Sequence, residues 1–168
     1  MPRQREYPRV LSLVLVMFLL LLLERDIVPP VFGVSPSFLL PFVLAVGMTE
    51  GPCFGGGFGA AAGLFLDQGV TSAYGFRALL LMTVGIAAGL FISYFRMTVP
   101  TAAVFTLAAA VFVFVLRWFF LYYLWHGTGW FFSIVPLQIL YAVLLSAPVF
   151  LLVRAVSRRF GSLKKAEN

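Results

Sequence analysis

The chain of 168 residues is 62% hydrophobic and only 11% charged, with a mean hydropathy of +1.03, whereas a soluble domain carries about 25% charged residues. Such a composition cannot cover itself with a polar surface, which excludes a water-soluble fold and leaves lipid as the solvent. The net charge of +6 does not point to nucleic acid: the basic residues gather at the ends of hydrophobic runs, the positive-inside pattern, where they suit the anionic headgroups of membrane lipids.

Arg3, Arg5 and Arg9 precede Val10 to Leu23, a leucine-rich run that reads as a first span over residues 10–26. A cleaved signal peptide would begin similarly, but Glu24-Arg25-Asp26 follows in place of a small-residue cleavage site. The stretch from Ile27 to Gly33, with paired prolines, reads as an external connection. A second span (37–50) and a third (53–67) flank the break at Glu50-Gly51-Pro52. Both are short: about 15 helical residues reach about 22 Å, against about 30 Å of hydrocarbon. They either extend into their flanks, sit beside a thinned bilayer or form a re-entrant hairpin; two full crossings are preferred because they keep the charge asymmetry consistent.

The fourth span covers 75–95, with Arg96 marking its cytoplasmic end. The fifth (100–123) opens on Pro100, near a first turn where a missing N–H costs nothing. It ends among Trp118, Phe119, Phe120, Tyr122, Tyr123 and Trp125, an aromatic belt at headgroup level. The sixth (131–153) carries Pro136 and Pro148, expected kinks, and a short basic tail occupies 154–168. Six spans with both termini cytoplasmic leave only Arg25, Arg77 and Arg117, of twelve basic residues, toward the outside. The expected fold is therefore all-α: one polytopic membrane domain, a single bundle of about six transmembrane helices.

Gly55, Gly59, Gly63 and Asp67 recur every four residues and share one helix face. Gly85 and Gly89 form a second small-xxx-small pair. These five glycines are candidates for close helix packing or for docking a partner's membrane helix. Asp67 is expected to pair with Arg77 or Arg117, at similar depth, and so to fix the third, fourth and fifth helices, since ionisable groups at membrane depth need partners; the alternative is that each side chain snorkels to water. Glu50 is expected to cap or solvate the cytoplasmic turn, with a protein contact as the lesser alternative.

The catalytic inventory is thin. His126 stands alone in a Trp125–Trp130 loop, and Cys53 is the one cysteine, so neither a metal cage nor a disulfide can be assembled. No nucleophile–base set is apparent, and the glycine run lacks the ending of a phosphate loop. Few polar side chains fall at midplane depth, which argues against an ion pathway. No catalytic, cofactor-binding or metal-binding residue is expected.

Gly57-Phe58, then Gly63-Leu64-Phe65-Leu66-Asp67, then Gly75-Phe76-Arg77-Ala78-Leu79 at the next helix start resemble, in that order, the rod shape-determining MreD family. Size, an arginine-bearing N-terminus, a Pro-Pro external loop and the basic finish from Leu152 to Phe160 extend the resemblance over nearly the whole chain. Tyr74 before Gly75 departs from the family's pattern, as does Pro36-Ser37 where the family often has Pro-Asp. The resemblance implies a multi-pass protein of the bacterial inner membrane, without enzymatic activity or cofactor, that works in cell elongation. It implies MreC as a direct partner, with MreB, RodA and a class B penicillin-binding protein reached indirectly. It also implies a fold similar to the substrate-binding subunits of energy-coupling-factor transporters. Two other readings therefore stand beside the scaffold. One is a vitamin-type transporter subunit. The other is a membrane enzyme acting on lipid-linked intermediates, which should show paired acidic or histidine residues at one interface.

Overall fold

A computed structural model describes residues 6–24, 37–68, 75–91, 99–125 and 131–160. Among these there are six helices and no strand: α1 (Glu6–Leu22), α2 (Leu39–Glu50), α3 (Pro52–Asp67), α4 (Phe76–Phe91), α5 (Val99–Trp125) and α6 (Phe131–Phe160). The stretch Ile139–Ser157 of α6 is long and apolar enough to cross a membrane, and shorter apolar stretches lie in α1, α2, α4 and α5. The external connection at 27–33, Arg96, the His126 loop and the end of the basic tail lie outside the described residues.

The helix boundaries follow local chemistry. Gly51 has φ 102°, a conformation that favours glycine and stops α2. Pro52 then opens α3 at a first-turn position, where no N–H is needed. Gly75, with φ 89°, precedes α4 in the same way. α6 runs unbroken through Pro136 and Pro148 and continues to Phe160, past the expected end at residue 153. The residues from Arg154 to Phe160 contain no glycine or proline to stop it, so the start of the basic tail is helical.

The centre of the bundle is α2, all of whose residues are buried. A helix that is apolar on every side belongs in an interior, and α1, α3, α4, α5 and α6 all pack against this one. The outer helices are one-sided. α1 turns Leu13, Met17, Leu20 and Leu21 inward and leaves Leu11, Leu15, Phe18 and Leu19 exposed. Phe42 of α2 meets Phe58 of α3 edge to face, with ring centroids 6.0 Å apart, a favoured aromatic geometry.

The tightest packing joins α3 to α4, which run antiparallel. A Cβ added to Gly55 would lie 2.6 Å from both the Gly47 Cα and the Gly85 carbonyl oxygen. One on Gly59 would meet the Leu81 carbonyl, one on Gly63 the backbone of Ala78, one on Gly85 the carbonyl of Gly55, and one on Gly89 the backbone of Pro52. All five candidate glycines therefore face neighbouring helices of this chain. Gly47 of α2 joins them, so three backbones converge where Gly47, Gly55 and Gly85 meet.

The two ends of the bundle differ in what they gather. At one end α1 begins while α2 and α6 end, brought together by Arg9, Glu50 and Ser157. At the other, α1 and α3 end where α2 and α4 begin, joined through Glu24 and Asp67. The seam gives a direct test. Gly63→Ala forces its methyl into the Ala78 backbone and should lower the thermal midpoint in detergent, in line with about 1–3 kcal/mol for overpacking. Gly57→Ala, where an added Cβ meets nothing within 4 Å, should leave the midpoint unchanged or raise it, since alanine is the better helix former by about 1 kcal/mol.

Candidate functional site

Acidic side chains are scarce, six in the whole chain, and three of them do specific work at helix ends. Glu50 is the last residue of α2 and is buried. Arg9 of α1 donates from Nε to Glu50 Oε1 at 3.0 Å, and its Nη2 lies against Glu50 Oε2. The Ser157 hydroxyl of α6 donates to Glu50 Oε1. All three residues are buried, Arg9 with only 4% of its surface exposed. This corrects the expectation that Glu50 is solvated or caps a turn: it is the centre of a buried polar knot that ties the first, second and last helices. Ions withdrawn from water are kept only when paired and hydrogen-bonded, and here both conditions are met.

At the opposite end Asp67 is 1% exposed. Its Oδ2 accepts from the backbone N–H groups of Gly75, at 2.9 Å, and Arg77, at 3.2 Å. The first N–H groups of a helix have no partner within it, and Gly75 has no side chain with which to cap α4. Asp67 supplies that cap from the end of the preceding helix. The structure also brings the Arg77 guanidinium to Asp67, with Nε 3.8 Å from Oδ1, and Arg77 Nη1 donates to the Leu66 carbonyl at 3.3 Å. The Arg77 side chain is 39% exposed, so this long ion pair is weakened by solvent and the two N–H bonds are the stronger tie. Arg117 lies on α5, but its side chain is outside the described residues; the contact in hand joins α3 to α4.

Glu24, two residues beyond the end of α1, repeats the device. Its Oε2 accepts from the N–H groups of Phe38, at 3.0 Å, and Leu39, at 3.2 Å, at the start of α2, where Phe38 offers no side-chain cap of its own. The Glu24 carboxylate also lies within the field of the Arg77 charge. Arg77 thus acts on both carboxylates at this end.

Sequence reasoning singled out Asp67 and Arg77 but missed Arg9, Ser157 and the capping role of Glu24. A signal existed for the first two. Arg9 continues the buried α1 stripe of Leu13, Met17 and Leu20, and Ser157 continues that of Ser146, Val149, Phe150 and Val153 on α6, at helical spacing in both cases. Cys53 is exposed at the start of α3. Among the described residues no three His, Cys, Asp or Glu side chains gather as a metal site would require.

A family model described as rod shape-determining protein MreD matches residues 5–156. The chain belongs to the MreD family. No curated protein and no solved structure matches it. The match spans Arg9, Glu24, Glu50, Asp67 and Arg77 and stops one residue short of Ser157. Membership makes the chain a membrane-associated protein of rod shape determination.

In this MreD-family chain the two ends should respond differently to substitution. Glu50→Ala strands a buried Arg9 and should destabilise the protein by about 3–5 kcal/mol; Arg9→Met combined with Glu50→Leu should recover much of that loss, read as thermal midpoints in detergent. Asp67→Asn keeps an acceptor oxygen for the α4 N–H groups and should cost less than Asp67→Ala, for which loss of the cap predicts about 1 kcal/mol or more. If the two Asp67 variants melt alike and well below the parent, the ion pair with Arg77 outweighs the cap.

Proposed function

We propose that this protein is a non-enzymatic, multi-pass scaffold of the bacterial inner membrane, which binds MreC directly and helps couple the MreB cytoskeleton to peptidoglycan synthesis by RodA and a class B penicillin-binding protein. Membership of the MreD family carries the reading, and the use made of the polar groups supports it. Arg9, Glu50 and Ser157, and Glu24 and Asp67, are engaged within the chain, in holding helices to one another. The five glycines are engaged as well. What the described helices turn outward is mostly apolar: Leu11, Leu15 and Phe18 on α1, Val104, Leu107 and Val111 on α5, Leu140 and Leu144 on α6. Such faces contact lipid or another membrane helix, which is how a protein with almost no mass outside the membrane binds a partner.

The six-crossing topology has support of its own. α1 begins and α6 ends at the same end of the bundle, where Arg9 and Ser157 meet Glu50, as an even number of crossings requires. With Arg9 and the basic end of α6 at that end, the positive-inside pattern supports a cytoplasmic assignment for it.

Purification of the tagged full chain in mild detergent, with mass spectrometry of accompanying proteins and small molecules, tests the proposal. Stoichiometric recovery of MreC, a protein with one membrane helix and an external domain, without a bound small molecule is the expected result. Retention of a vitamin-like compound or of an ATPase-linked membrane partner would replace the scaffold with a transporter subunit.

A further inference from the structure

We infer that this chain thins the bilayer beside α3, holding the hydrocarbon there to about 24 Å instead of about 30 Å; the inference rests on the multi-crossing reading proposed above. The length of α3 is fixed at both ends. Gly51, with φ 102°, and Pro52 start it, and Gln68, in an extended conformation, ends it. Its 16 residues rise about 1.5 Å each, about 24 Å in all. Cys53, Gly57, Leu64, Phe65 and Gln68 are exposed along it, so a face opposite the glycine seam meets lipid from one end of the helix to the other.

Charge prevents the helix from settling elsewhere. Asp67 is its last residue, and Glu50 lies two residues before its first. Sliding α3 one way along the membrane normal would draw the Asp67 end, with the 39% exposed Arg77 side chain, toward the midplane. Sliding it the other way would draw in the end that carries the part-exposed Arg154; ionisable side chains are most costly at the midplane. Tilt only shortens the height that a helix spans. Nor can α3 move alone, because the backbone contacts of Gly55, Gly59, Gly63, Gly85 and Gly89 lock it to α4 and Asp67 holds the start of α4 at the same depth. α2 is shorter still, 12 residues between Phe38 and Gly51, about 18 Å, but it is enclosed by protein. On the other flank α5 and α6 have 27 and 30 residues, about 40 and 45 Å, and exceed the bilayer. The bundle is therefore short on the α3 side and tall on the α5–α6 side, and a bilayer accommodates a short wall by thinning against it.

Thiol accessibility decides the matter, with the full chain reconstituted in sealed dioleoylphosphatidylcholine vesicles and a membrane-impermeant maleimide applied to each side. The native Cys53 reports one end of α3; Gln68→Cys and Gly57→Cys, each in a Cys53→Ser background, report the other end and the middle. Both substituted positions are exposed, and an added Cβ at Gly57 meets nothing within 4 Å. The expected result is reaction of Cys53 from one side and Gln68→Cys from the other, with Gly57→Cys slower by about tenfold or more, as hydrocarbon burial requires. Protection of either end, with the other labelled, overturns the thinning and leaves the crossing intact. Reaction of Gly57→Cys as fast as the ends also overturns it, because water and not lipid then lies beside α3. Labelling of both ends from the same side overturns the crossing itself, and the thinning with it.

Discussion

Helix α2 is buried along its entire length, and the rest of the structure depends on that enclosure. An enclosed helix cannot hand its terminal N–H and C=O groups, or a charged last residue, to solvent; another helix must satisfy them. Glu24 from the end of α1 does this at the start of α2. Arg9 and Ser157, from the start of α1 and the end of α6, do it for Glu50. Arg9, Glu24 and Ser157 are thus placed by the needs of the most deeply buried helix of an otherwise apolar chain.

The second organising feature is the α3–α4 seam, which is apolar along its length. Apolar helices surrounded by lipid gain little from the hydrophobic effect on pairing, so close backbone approach has to supply the attraction. Glycines at four-residue spacing make it possible on both helices, and Gly47 extends it to α2. Asp67 closes the seam at one end. Dispersion along the length and a cap at the end together fix both the register and the depth of the pair.

Much of this was legible in the sequence, because the features are periodic. The stripe Gly55, Gly59, Gly63, Asp67 marks a packing face, and the break at Gly51-Pro52 is visible in the residue types. Whether those glycines faced inward or toward a partner was not legible, since both uses need the same small residues; the proximity of Gly85 and Leu81 decides it. The sequence around Glu50 reads as a solvated or capped turn because its partners are 41 and 107 residues away, and local rules for turns do not see across that distance. The charge of Arg9 reads as a topology signal, although the residue lies on the buried stripe of α1. The capping role of Glu24 was hidden for a different reason: a cap supplied from the preceding helix leaves no signature at the capped position, which here is a phenylalanine.

The separations of these contacts also suggest why the two ends are built differently. The caps at the Asp67 end join residues 8 to 15 apart, within single helical hairpins, so α1–α2 and α3–α4 can each be capped at small cost in loop entropy. The knot at the Glu50 end needs α6, the last helix, to reach α2 across 107 residues, and loop-closure entropy grows with that separation. A neutral contact would offset little of it. A buried carboxylate that already has Arg9 and still has an oxygen to offer Ser157 gives the late helix a specific place to dock. The local ends of the hairpins need only caps, whereas the non-local end, which closes the chain on itself, carries the buried ion pair.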